Sequence, residues 1–102
     1  MKNNVYTFHT DPGHGWLEVS LEEILLLNIQ DNITAYSYVS RKAENNFLVF
    51  LEEDVDAPFF LEVKRKAAQE VKIEEKNVNQ DSFIRHLTPY SEIKKRLQSF
   101  AQ

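Results

Sequence analysis

No cysteine occurs in this sequence, so disulfides, thiol nucleophiles and Cys-type zinc sites are excluded. Glycine is nearly as scarce. The two present, Gly13 and Gly15, fall within one short stretch, which marks it as needing an unusual backbone. Long apolar runs are missing too. Nothing approaches the roughly 20 residues of a membrane-spanning helix, and no signal-peptide apolar segment follows Lys2. A soluble, cytoplasmic protein without membrane association is expected. Positive charge is in deficit, with a formal net charge of -4. Nucleic-acid binding as a whole-surface property is not expected, because phosphate binding requires a basic face.

What is present suffices for one core. A hydrophobic content of 42% with 12% aromatics over 102 residues predicts a single domain spanning residues 1–102. Val5-Tyr6-Thr7-Phe8-His9-Thr10 alternates and reads as a strand. Asp11-Pro12-Gly13 is turn chemistry, with Gly13 suited to the positive φ of a type II turn. His14-Gly15-Trp16-Leu17-Glu18-Val19 returns as a second strand. Ser20 and Glu23 form a capping box that starts a short helix, with Leu21, Ile24 and Leu25 as its buried stripe and Asn28 as its left-handed terminator.

A second hairpin is expected from residues 33–40 and 47–51, joined by the polar turn 41–46, with Tyr36 and Tyr38 on one face. Phe47-Leu48-Val49-Phe50-Leu51 reads as its central, doubly buried strand. The main helix follows, capped by Asp56, with Pro58 in its first turn and running to about Gln69. Val71-Lys72-Ile73-Glu74 reads as an edge strand guarded by lysine, and 76–80 as loop. A last helix begins near Pro89 and packs through Ile93, Leu97 and Phe100. The order predicts an α+β fold: an antiparallel sheet of four to five strands, built on two hairpins, with about three helices mainly on one face.

Two constellations carry candidate chemistry. His9, Asp11 and His14 surround the first turn, with His86 available as a third imidazole. Imidazole and carboxylate together can ligate a metal or perform base work. The spacing matches no specific metal motif, and no serine has a visible base partner, so the reading leans away from an enzyme and implies no cofactor. The competing reading is a tight hairpin in which Asp11 caps backbone amides. The second constellation is Glu52, Glu53, Asp54 and Asp56. Residues 43–63 contain no basic residue, and these acids favour a helix N-terminus, present a negative surface to a basic protein, or bind a divalent cation through oxygen. Trp16, beside Gly13 and Gly15, would anchor an interface if exposed and fill the core if not. The basic groups Lys64-Arg65-Lys66 and Lys94-Lys95-Arg96 read as solvated helix faces.

The text Asp11-Pro12-Gly13-His14-Gly15-Trp16-Leu17-Glu18-Val19 resembles the opening of small uncharacterised proteins of bacteria, phages and plasmids. Leu51-Glu52-Glu53-Asp54 and Asp81-Ser82-Phe83-Ile84-Arg85 extend the resemblance over most of the chain. It implies a mobile-element origin and a small protein that binds a host or defence component. It transfers no activity and no catalytic residue. Composition, charge and resemblance together predict a non-enzymatic interaction protein, an adaptor or inhibitor, binding a basic protein surface through its acids. The alternative is a small metal- or His-dependent enzyme centred on the first turn.

Overall fold

The computed structural model describes residues 4–43 and 46–100, and within them six strands and three α-helices. β1 (Val5–Thr10) and β2 (Gly15–Ser20) form the expected first hairpin, with Phe8 opposite Leu17 and His9 opposite Trp16. Ser20 then caps α1 (Leu21–Leu26), its Oγ accepting from the Glu23 amide at 3.1 Å. The Glu23 carboxylate reaches inward. It accepts from the Tyr6 hydroxyl at 2.8 Å and from Lys64 Nζ at 2.5 Å. This buried ion pair takes the place in the stripe that Leu25 was expected to fill, and Leu25 is left exposed.

Asn28 does terminate α1, at φ 58°. Its amide donates to the Leu25 carbonyl and that of Ile29 to the Ile24 carbonyl, a Schellman closure with both isoleucines buried. β3 (Tyr38–Ala43) starts later than residue 33 because Thr34 and Ser37 are drawn to the Asp56 carboxylate. Tyr36 lies exposed in that turn and shares no strand face with Tyr38. Arg41, expected in the polar turn, belongs to the strand, and Glu44 and Asn45 of that turn lie outside the described residues. β4 (Asn46–Glu52) is central as its apolar run predicts, lying between β2 and β3.

The sheet corrects the expectation of four to five antiparallel strands. It is mixed, in the order β5-β1-β2-β4-β3-β6, and β5 (Lys72–Asn77) runs parallel to β1. β5 includes Lys76 and Asn77, expected as loop. The cause is α2 (Asp56–Lys66), which carries the chain from central β4 over β2 and β1 to the far edge. Such a helical crossover delivers the next strand in the direction of the first. β4 already runs parallel to β1, so β5 does as well. α2 ends in a second Schellman closure, with Ala68 at φ 57°, its amide on the Arg65 carbonyl and that of Gln69 on the Lys64 carbonyl. The short β6 (Thr88–Pro89) pairs with β3 and leads into α3 (Tyr90–Phe100). The side chain of Phe100 lies outside the described residues.

The helices cover one face of the sheet, as expected. Leu17, Val19, Val49 and Leu51 pack there against Ile24, Phe60 and Tyr90. On the other face Trp16 and Phe50 pack against Ile84 of the 3-10 turn Phe83–His86. No helix among the described residues is long and apolar enough to cross a membrane.

Candidate functional site

The first turn is built around one carboxylate. Asp11 Oδ1 accepts from the amides of Gly13 at 3.0 Å and His14 at 2.9 Å, while its own amide donates to the His14 carbonyl. The segment covering the second face supplies the rest. Ser82 donates its amide to Oδ2 at 2.9 Å, and Arg85 donates from Nε at 2.6 Å to Oδ2 and from Nη2 at 2.9 Å to Oδ1. A two-pronged guanidinium contact is strong and geometrically specific. Arg85 is the main cause holding the Asp11 carboxyl far below the usual range. Burial opposes it, and the three amides add to it. The Arg85 guanidinium also lies over the Trp16 ring, 5.3 Å from its centre.

Asp11 is therefore a joint between the hairpin and residues 82–85, with its oxygens committed, and is not available as a metal ligand or base. The glycines are used for room rather than for positive φ, which neither adopts. A Cβ on Gly13 would stand 3.0 Å from Arg85 Nη2, and one on Gly15 only 2.6 Å from Phe8 Cζ. Trp16 is 1% exposed and fills the core.

The histidines do not converge. His9 is buried, its Nε2 2.8 Å from Glu18 Oε1, between the edges of Phe50 and Phe83. His86 is exposed on the 3-10 turn. His14 packs its ring on Trp16, 5.2 Å between centres, and reaches the β4–α2 connection, its Nδ1 3.2 Å from Glu53 Oε1. His9, Asp11 and His14 start on one face of the hairpin, and different partners separate them: Glu18, Phe50 and Phe83 hold His9 in mid-strand, while His14 lies beyond the last strand pair, Thr10 with Gly15. What forms instead joins one histidine of the first constellation to two acids of the second: His14, Glu53 and Asp54, with one ligand atom each, all within 4.8 Å of one another.

The acidic run divides in two. Glu52, 3% exposed, is the group that caps α2: it accepts from the amides of Asp54 and Asp56 at 2.8 Å and from that of Val55. Burial alone would raise its carboxyl, but these amides and nearby His14 outweigh burial and lower it. Asp56, expected as the cap, is fully buried and accepts from the Thr34 amide at 3.0 Å and hydroxyl at 2.7 Å, and from the Ser37 hydroxyl at 2.5 Å. Both acids are thus consumed inside the fold, and neither is offered to a partner. Glu53 and Asp54 remain at the surface.

Beside them opens a groove of about 220 Å³. Phe8, Leu17, Pro58, Leu61 and Ile73 line it and Glu53 stands at its rim. Sequence reasoning missed the groove, because β5 had to be placed beside β1 before its walls existed. It also missed Arg85 and Ser82, Asp11's partners, and Thr34 and Ser37, Asp56's partners. Arg85 is 74 residues from Asp11, and no local pattern signals a pairing at that distance.

No family model, curated protein or solved structure matches the chain.

Proposed function

We propose that this protein is a non-enzymatic interaction domain, which takes an apolar side chain of a basic partner segment into the groove between α2 and the β1–β5 edge. The observation that carries this reading is an apolar floor with a carboxylate rim. Phe8, Pro58, Leu61 and Ile73 offer contact to an aliphatic or aromatic anchor, and Glu53 and Asp54 offer charge to lysine or arginine beside it. The volume also argues for a side chain. Small-molecule sites run from about 300 to 1,000 Å³, and this groove is below that range. The dispersal of His9, Asp11, His14 and His86 weighs against the enzyme alternative. The resemblance of the 11–19 stretch to phage and plasmid proteins favours a host protein as the partner.

The test uses backbone NMR of the full chain with a short peptide carrying one Leu or Phe between Lys and Arg residues. Shifts at Phe8, Leu61 and Ile73, abolished in Glu53→Lys/Asp54→Lys and weakened by added salt, support the reading. No groove shift at high peptide excess, or shifts unaltered by the charge reversal, overturns it. Glu52 and Asp56 are left intact because neutralising them would disturb α2 itself.

One observation favours a second reading. The nitrogen and carboxylate oxygens of His14, Glu53 and Asp54 form a mixed donor set of the kind that first-row divalent metals accept. Calorimetric titration with zinc or manganese decides. A saturable single site that His14→Ala removes supports a metal-dependent role, and heats equal to dilution rule it out.

A further inference from the structure

We propose that β5 is a dimerisation edge: it pairs antiparallel with β5 of a second copy of this chain, about a two-fold axis through Ile73. All six residues of β5 are exposed, and the strand stands at the end of the sheet. The opposite end is β6, two residues long and closed by Pro89, a blunted edge. β5 is not blunted. It pairs with β1 without a break from Val5–Lys72 to Thr10–Asn77, so its outer side is regular over its whole length.

The backbone orientation follows from two bonds. Lys72 donates its amide to the Asn4 carbonyl and Val78 donates to the Thr10 carbonyl. Even-numbered residues therefore direct their amides at β1, and Ile73, Glu75 and Asn77 direct theirs outward. A two-fold that keeps the sheet continuous can be centred on any residue of this strand; centred on Lys72 or Lys76 it sets a lysine against its own copy, and centred on Asn77 it pairs only Asn77 within the strand. Centred on Glu74, it sets Glu74 against its own copy and Lys72 against Lys76. Centred on Glu75, it matches Glu74 with Lys76 but sets Glu75 against its own copy in a hydrogen-bonded pair. Centred on Ile73, it sets Ile73 against Ile73 and Lys72 against Glu74 twice, with no like-charge pair. Opposite charges directly across a ladder attract and like charges repel.

The composition of the strand fits this use. Lysine guards an edge when its charge stands unanswered. Here Lys72 and Lys76 are balanced by Glu74 and Glu75, so the strand carries no net charge to repel a copy of itself. Ile73 is 45% exposed, and the pairing sets it beside its own copy at the end of the groove. Lys72 and Glu74 project from the face of the sheet opposite to Ile73 and the groove. Their substitution therefore probes the dimer without touching the peptide-binding reading.

The experiment is sedimentation equilibrium of the full chain over a concentration series. The wild type is expected to show a reversible monomer–dimer equilibrium. Lys72→Glu and Glu74→Lys are each expected to raise the dissociation constant about tenfold or more, since each turns two attractive pairs into repulsive ones. An equimolar mixture of the two variants is expected to restore the dimer, because the altered positions then face each other with opposite charge. So is Lys72→Glu/Glu74→Lys in one chain. Circular dichroism checks that the variants fold, as these exposed positions allow. A wild type that stays monomeric, single variants that dimerise like wild type, or a mixture that stays monomeric overturns the proposal.

Discussion

Replacing Gly15 by alanine tests how the first hairpin is packed. The added Cβ would stand 2.6 Å from Phe8 Cζ, 3.0 Å from Phe8 Cε2 and 3.1 Å from Glu53 Oε2. Carbon atoms at rest prefer about 3.5–4.0 Å, so the Phe8 ring has to move by roughly 1 Å. Overpacking of this kind costs about 1–3 kcal/mol. The entropy gained by removing glycine from the unfolded chain returns about 0.5–1 kcal/mol. Gly15→Ala is therefore expected to destabilise by about 1–2 kcal/mol. In a Phe8→Leu background the obstructing ring is gone, and the same substitution should be neutral or slightly stabilising. Urea unfolding followed by Trp16 fluorescence reads this directly, because the single tryptophan is buried. The coupling between the two positions should be about 1–3 kcal/mol. Gly15→Ala costing the same in both backgrounds would refute the packing argument.

Glu23→Leu strips Lys64 Nζ of its carboxylate in a fully buried position, where Asn4 Oδ1 at 2.8 Å remains. It should cost about 3–5 kcal/mol in chemical denaturation, and adding Lys64→Met should recover a large part of that. Ala68→Gly relieves a left-handed alanine at the end of α2. It should stabilise by about 0.5–1 kcal/mol, seen as a higher urea midpoint. Asp11 and Glu52 both have lowered carboxyl pKa values when folded. The unfolded chain takes up their protons more readily, so their contribution is complete above about pH 5 and is lost as pH falls through their folded values. The urea midpoint should drop steeply below about pH 4, and Asp11→Asn/Glu52→Gln should flatten that drop; a midpoint constant from neutral to acid pH would contradict it.

The local signals in this chain read well, and the long-range ones did not. Ser20 and Asn28 act within one helix and declare its ends, whereas the Glu23 carboxylate, read as part of the same cap, reaches out of the helix to Tyr6 and Lys64. The alternation of 5–10 and the turn at Asp11 declare the first hairpin. Asp56 satisfies the capping pattern for α2 on paper. In the fold Thr34 and Ser37, delivered by another loop, claim it, and Glu52 takes over the cap. His9, Asp11 and His14 looked like one site because they are near in sequence. Glu18, Glu53 and an arginine 74 residues from Asp11 pull them into separate contacts. Glu53 and Asp54 were visible as acids, but the apolar wall beside them depends on the parallel placement of β5, which only the α2 crossover decides.

That placement also governs how the chain reaches its native state. Asn77 pairs beside Thr10 from 67 residues further along, so none of this ladder forms until most of the chain has left the ribosome. Ladders of such sequence separation close slowly, because the loop entropy is spent before any contact is gained. Until then β1 is the sheet margin, with Tyr6 and Phe8 on its core-facing side and no strand beyond them. Synthesis order thus gives the nascent chain an interval with a sticky N-terminal margin, during which chaperone capture or misassociation competes with folding.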